Sequence, residues 1–217
     1  MGNNWRKVGG LAALFEAFAY IVGFAAMLTV LSIPEGMAPV EQLRFVLGKA
    51  GLYQAWHVVI YVLFGAALVA LTAALHERLA SGEPLLMKIA SPFGMIWAGM
   101  VIATGMIANL GLAAAARVIA ADPAHATQMW LTLNVVQEGL GGGVELAGGL
   151  WLVLVSAAAL RCTAFPQLLN YLGIVVGVAG ILTVIPPLGG LAAVFGLGQI
   201  AWFIWLGVTL LGEPWPD

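Results

Sequence analysis

The chain has 217 residues, of which 62% are hydrophobic and only 8% are charged, and its mean hydropathy is +1.02. This apolar share is far above that of a soluble domain, so the composition predicts an integral membrane protein. The formal net charge of −2 comes from scattered residues rather than from a basic or acidic tract, so nucleic-acid binding is not supported. A single cysteine, Cys162, excludes an internal disulfide and a cysteine-rich metal site.

Six stretches are apolar over the length of about 20 residues that one membrane crossing needs. The first follows Arg6 and Lys7, and it is too long for the apolar region of a signal peptide and lacks an A-x-A cleavage site. The predicted spans are residues 8–32, 50–75, 86–112, 139–160, 168–187 and 190–211. They predict an all-α fold, a polytopic integral membrane six-helix bundle in which residues 1–217 form one transmembrane domain.

The basic residues are divided unequally between the two sides of this predicted bundle. The side of the N-terminus carries Arg6, Lys7, Arg78, Lys88 and Arg161, and the other side carries Arg44, Lys49 and Arg117. Because cytoplasmic loops are enriched in lysine and arginine, both termini are predicted to be cytoplasmic.

The stretch "WLTLNVVQEGLGGGVELAGGLW", residues 130–151, places two acids in an apolar and glycine-rich context. We expect Met129–Leu140 to be either a helix that protrudes beyond the outer interface or a lateral amphipathic segment that bends at the glycines. In a continuous helix, Asn134, Glu138 and Glu145 lie within about 40° of one another. A carboxylate that faces lipid costs a few kcal/mol, so this stripe is predicted to face other helices.

Three further polar residues fall inside predicted spans. His57 lies about 9 Å from the outer end of the second span, and Asn109 lies near the outer end of the third, so both share the outer half with Glu145. Glu16 is deeper, and with no Lys or Arg at its depth it is expected to be protonated, or neutralised by His57 or a bound cation. The alternative is structural: a hydrogen-bonded core histidine, interhelical contacts by the acids and amides, and a solvated Glu138 at the interface.

Several chemistries have no matching residues. A haem with two histidine ligands or a three-histidine zinc site needs histidines at one depth, whereas His76 and His125 are predicted in loops. Near His57, Ser32 and Ser91 have no G-x-S-x-G context. We therefore expect no metal and no cofactor, and an enzyme is disfavoured.

Four segments resemble a bacterial family of small six-span membrane proteins, domain of unknown function 4386. They are "KVGGLAALFEAFAYIVGF", "FGMIWAGMVIATGMIANLGL", "VVQEGLGGGVELAGGLWLVLVSAAALR" and "PQLLNYLGIVVGVAGILTVIPPLGGLAAVFGLGQIAWFIWLGVTLL". Together they cover well over half of the chain, in the same order. The resemblance implies a multi-pass protein of the bacterial inner (cytoplasmic) membrane with six helices and no established activity.

The leading functional hypothesis is a polar cavity in the outer half of the bilayer that binds or transports a small or amphiphilic molecule or a cation. Its predicted residues are Glu16, His57, Asn109, Asn134, Glu138 and Glu145, with His57 and Glu145 as the proton-exchanging pair. The alternative is an accessory subunit of a larger membrane complex or a homo-oligomer, docked through faces such as Gly173 and Gly177 at GxxxG spacing. A third reading is a membrane enzyme that acts on a lipid or quinone. Membrane lipid is the one partner that every reading shares.

Overall fold

A computed structural model of the chain describes residues 2–142 and 145–212, and this part of the chain is helical and contains no strand. The helices are α1 (Gly2–Leu28), α2 (Pro39–Gly48), α3 (Ala50–Leu79), α4 (Pro84–Val118), α5 (Pro123–Gln137), α6 (Leu146–Arg161), α7 (Gln167–Leu182) and α8 (Leu191–Gly212). One segment, Val58–Leu63 within α3, has the wider turns of a π-helix, and Glu138–Gly142 after α5 contains a kink at Gly141. The predicted all-α class is confirmed.

Five helical stretches of the described chain are long and apolar enough to cross a membrane. They are Asn4–Leu28, Ala50–Leu79, Pro84–Val118, Pro123–Arg161 and Leu191–Gly212. Helix α7 is also apolar but has 16 residues, fewer than the roughly 20 that a crossing normally takes. By length and composition the chain has the helices of a multi-pass membrane protein.

Helices α1, α3, α4, α6, α7 and α8 pack as a closed ring. Helix α1 contacts α3 and α8, α3 contacts α4, α4 contacts α6, α6 contacts α7, and α7 contacts α8. The ring is tight where α6 meets α7, because a methyl group on Gly149 would lie 2.5 Å from the carbonyl oxygen of Gly177. Gly173 is likewise buried, against Ser156 and the Trp202 indole. The prediction that Gly173 and Gly177 form an external docking face is therefore wrong, because both glycines are used for packing inside the chain.

The two ends of the ring differ. We call one the termini end, where the start of α1 packs on the last turns of α8 and Gly82 contacts Cys162. At this end, Arg161 lies 3.7 Å from the Glu83 carboxylate. We call the other the α2 end, where small apolar clusters join α2 and the first turns of α5 to the rest of the bundle.

Several predicted span boundaries differ from the observed helices for local reasons. The first helix ends at Leu28 rather than at residue 32, and the third runs over Pro84–Val118 rather than 86–112. The predicted fifth span, 168–187, is observed as α7 and ends at Leu182. Two successive prolines, Pro186 and Pro187, prevent the helix from continuing because they cannot donate helical N–H bonds. The predicted fourth span, 139–160, is helical as α6 only from Leu146.

Helix α4 runs antiparallel to both α5 and α6 in one continuous register. Contacts along it pair Leu133 with Gly111, Gly141 with Val101, Gly148 with Trp97 and Trp151 with Gly94. The sums of these paired residue numbers stay between 242 and 245, so the chain from α5 to α6 follows α4 without changing direction. Met129–Leu140 is therefore part of a broken helix that runs along α4, and not a lateral segment.

Candidate functional site

The break between α5 and α6 places one carboxylate inside the bundle. Gly141 has φ +118° and ψ 22°, a left-handed conformation that interrupts the helix. Helix α6 begins after Glu145, whose backbone N–H donates to the Thr183 hydroxyl at 2.8 Å. That hydroxyl donates in turn to the Gly180 carbonyl at 2.7 Å. The backbone of Glu145 is thus fixed to the end of α7 rather than to the preceding helical turn.

Glu145 lines a cavity of about 420 Å³ between α1, α3, α4, the break and the start of α8. Six aromatic side chains contribute to the described lining: Tyr20, Phe24, Trp56, Tyr61, Phe64 and Trp97. Small residues of α1 and α8 make up much of the rest: Ala19, Gly23, Ala192, Ala193 and Gly196. Met27 and Ala193 belong to the lining and are exposed, so the rim lies where α1 ends and α8 begins.

The charge in this cavity is unbalanced. Among the described lining residues, Glu145 is the only carboxylate, and there is no lysine, arginine or histidine. Within the described chain, its side chain accepts no hydrogen bond and forms no ion pair. A carboxyl group in such surroundings carries a desolvation cost, which a hydrogen-bond or charge partner would offset.

Two departures from regular α-helix contribute to the cavity wall. Ile60 and Tyr61 belong to the π-helical segment of α3, and Gly141 is the left-handed residue of the break before α6. Wide π-helical turns are rare and occur frequently at functional sites. The π-helical segment and the break lie on two sides of the same cavity, which marks this region as the candidate site.

His57 and Asn109 form a hydrogen-bonded pair beside the cavity. The Asn109 amide nitrogen donates to the Gln54 carbonyl at 3.3 Å, so its oxygen faces His57 Nδ1 at 2.9 Å. Because that oxygen can only accept, His57 Nδ1 carries the proton and donates it. Asn109 therefore fixes both the tautomer and the orientation of the imidazole.

Two aromatic rings stand between this pair and the cavity, and the nearer is Trp56, a lining residue whose ring centroid is 5.1 Å from that of His57. The rings of His57 and Tyr61 are stacked with centroids 5.9 Å apart, and Tyr61 lines the cavity together with Glu145. His57 is not among the described lining residues. The imidazole can therefore affect the site through Tyr61 and Trp56.

Glu16 lies in the packed interior, where its side chain is fully buried. Neither of its carboxyl oxygens has a hydrogen-bond partner in the described chain, and the same is true of both amide atoms of buried Gln199. Other buried polar atoms without such a partner belong to Thr72, Trp97, Trp151, Ser156 and Trp202. Each such group carries a desolvation cost that a partner would remove.

The other two predicted site residues lie before the break. Asn134 is half-buried on α5, and Glu138 is exposed directly after that helix. The prediction that they share one helix face with Glu145 is wrong, because the backbone leaves helical geometry at Gly141 and loses the angular phase. Of the six predicted site residues, Glu145 is the one that belongs to the described lining of the cavity.

Sequence reasoning passed over several residues of the wall. Trp56 and Trp97 both line the cavity, and neither is among the site residues predicted from the sequence. Tyr20 and Phe24 on α1 attracted no functional interpretation. Their spacing of four residues, which puts both rings on one face of α1, is a pattern that could have indicated an aromatic wall.

The residues that the structure describes contain no group of three or more His, Cys, Asp or Glu side chains able to hold a metal ion. In comparisons with known proteins, no family model, no curated protein and no solved structure matches the chain.

Proposed function

We propose that this multi-pass protein binds a small amphiphilic molecule in the cavity beside Glu145 and carries it across the membrane. The observation that supports this most directly is an aromatic cavity of about 420 Å³ that contains a carboxylate with no partner in the described chain. Ligand pockets commonly have volumes of about 300–1,000 Å³, with mostly apolar walls and few polar groups. The Glu145 cavity has this character.

The topology that we propose has six crossings, the five long helical stretches and α7. Residues that follow Leu182 could complete the sixth crossing, and local thinning of the bilayer accommodates short helices at modest cost. Gly10 packs on Leu211, so the start of α1 and the end of α8 lie at one end of the bundle. The lysine and arginine bias then supports a cytoplasmic termini end and an external α2 end.

The family and the cellular location of the protein are also proposals. The order of the four segments quoted above supports membership of the domain of unknown function 4386 family, and with it the bacterial cytoplasmic membrane. The orientation is testable with the background Cys162→Ala, which removes the chain's one cysteine. Ala121→Cys should react with an impermeant maleimide on intact cells, and Ser81→Cys only after permeabilisation, since both positions are exposed at opposite ends. The reverse pattern would invert the orientation.

The binding role is tested by what purifies with the protein. Ala192→Trp places a large ring at a half-buried lining position, and Leu197→Trp places the same ring on α8 at a position 60% exposed and outside the described lining. Small molecules extracted from wild-type protein and from both variants are compared by mass spectrometry. A compound retained at fixed stoichiometry by wild type and Leu197→Trp, but lost from Ala192→Trp, is the expected result. Identical extracts from all three proteins would contradict the proposal.

Transport is measured with the retained compound in proteoliposomes. Vesicles that contain wild-type protein or Leu197→Trp should release it faster than vesicles that contain Ala192→Trp. Equal release from all three would limit the role to binding.

A further inference from the structure

The chemistry of the cavity wall identifies the class of molecule that it binds. Resting on the proposed function, we infer that the cavity takes a hydrophobic organic cation, whose charged nitrogen pairs with Glu145 and whose carbon skeleton packs against the aromatic wall. Three properties of the wall support this: its sign of charge, its aromatic surface and its volume.

The sign of charge excludes an anion as the favoured ligand. The described lining offers a carboxylate and no lysine, arginine or histidine to balance it. A cation placed in the cavity supplies the charge partner that Glu145 lacks, whereas an anion would add a second uncompensated charge.

The aromatic surface favours a cation over a neutral molecule. Rings of Trp, Tyr and Phe attract a cation over their faces, and the attraction grows when water is excluded. Trp56 is held in place because its indole nitrogen donates to the Gly23 carbonyl at 3.3 Å. With Tyr20, Tyr61 and Phe64 also in the wall, a cation beside Glu145 has rings on the sides of α1 and α3.

The volume favours an organic cation over a metal ion. A cavity of about 420 Å³ is far larger than one ion, and hard cations need several oxygen ligands. The side-chain oxygens of the described lining are those of Glu145, Tyr20 and Tyr61. An alkyl or aryl ammonium satisfies both the charge and the apolar wall.

The test uses two probes of the same shape, benzyltrimethylammonium and its neutral carbon analogue neopentylbenzene. The ammonium is quaternary, so its charge does not depend on pH. Binding is followed by tryptophan fluorescence of the full chain in lipid nanodiscs, since Trp56 and Trp97 line the cavity. The response of Ala192→Trp serves as the baseline for partition of the probes into lipid. We expect wild type to bind the cation about tenfold or more tightly than the neutral probe.

Glu145→Gln removes the charge and keeps the shape, and Glu138→Gln makes the same change at an exposed position seven residues earlier. We expect Glu145→Gln to lose the preference for the cation, about tenfold in affinity, and to keep its affinity for neopentylbenzene. Glu138→Gln should bind both probes as wild type does. Retained binding of the neutral probe also shows that Glu145→Gln is folded.

The outcomes separate this inference from the proposed function. Equal binding of the two probes to wild type, or a cation preference that survives in Glu145→Gln, would overturn the inference and leave an amphiphile site. A response from neither probe above the Ala192→Trp baseline would overturn both. Should Glu145→Gln fail to fold, Trp56→Leu replaces it, with a smaller but measurable expected loss of preference for the cation, because Glu145 and the other rings remain.

Discussion

Replacing Gly141 by alanine should destabilise the bundle through the backbone alone. Its φ of +118° lies in a region that side chains with a Cβ rarely adopt. The added methyl group would meet nothing closer than Val101 Cγ2 at 3.7 Å, which is an ordinary contact. Steric exclusion therefore contributes little, and the expected cost is the strain of the conformation, about 1–3 kcal/mol.

Gly139→Ala is the matched control, two residues before Gly141 along the chain. Its added methyl group would have nothing within 4 Å, and its φ is not positive. Alanine there should be neutral or stabilising by up to about 1 kcal/mol. In a chain of this length, each kcal/mol corresponds to a shift of about 2–4 °C in the unfolding midpoint.

The two variants are compared by thermal unfolding of the purified protein in detergent, and then by affinity for benzyltrimethylammonium. Gly141→Ala should unfold at the lower temperature and bind more weakly, because relief of the strain moves Glu145. If Gly141→Ala unfolds at the same temperature as Gly139→Ala, the left-handed break is not a feature of the folded protein. If stability falls and affinity does not, the break does not position Glu145.

Three further substitutions have expected outcomes in the same unfolding assay. Gly149→Ala should lose about 1–3 kcal/mol, because its methyl group would meet backbone atoms of α7 that cannot move aside, whereas Gly99→Ala has open space and should lose nothing. Thr183→Val should cost about 1–3 kcal/mol by leaving the Glu145 N–H without its acceptor, and should weaken cation binding. Glu16→Leu should raise the unfolding midpoint, because it removes a fully buried carboxyl that has no partner in the described chain. A lower midpoint would show that a water or an ion normally satisfies Glu16.

The spanning helices could be predicted from the sequence because their evidence is local. Length and apolar composition locate each one, and prolines and polar residues locate the gaps between them. The error at the end of α7 was avoidable, since Pro186 and Pro187 are visible in the sequence. The closed ring was not predictable, because which apolar face meets which depends on contacts between distant segments, such as Gly149 with Gly177.

The site was harder to predict, and Glu145 shows why. Its apolar surroundings mark it as exceptional in the sequence, and the glycines before it indicate a bend. A helical wheel then assigned it to one face with Glu138, which holds only if every residue advances the helix by the same angle. The left-handed residue Gly141 does not advance the helix by that angle, and Glu138 is exposed. The partner of its backbone, Thr183, is 38 residues away and carries no local indication of this role.

The position of the cavity follows from how α1 and α8 pack along their length. At the termini end, Gly10 and Gly207 bring the two backbones together, and a methyl group on Gly207 would lie 3.0 Å from the Gly10 carbonyl oxygen. Toward the α2 end, small residues of both helices line the cavity instead of filling it, among them Ala19 and Ala192. The two helices also touch beside the cavity, where Gly196 packs on Phe24, whereas at the termini end their backbones are in direct contact. Carrying a ligand across the membrane therefore requires the start of α8 to move away from α1 for exchange at the rim, and the Gly10–Gly207 contact to open for exchange at the termini end.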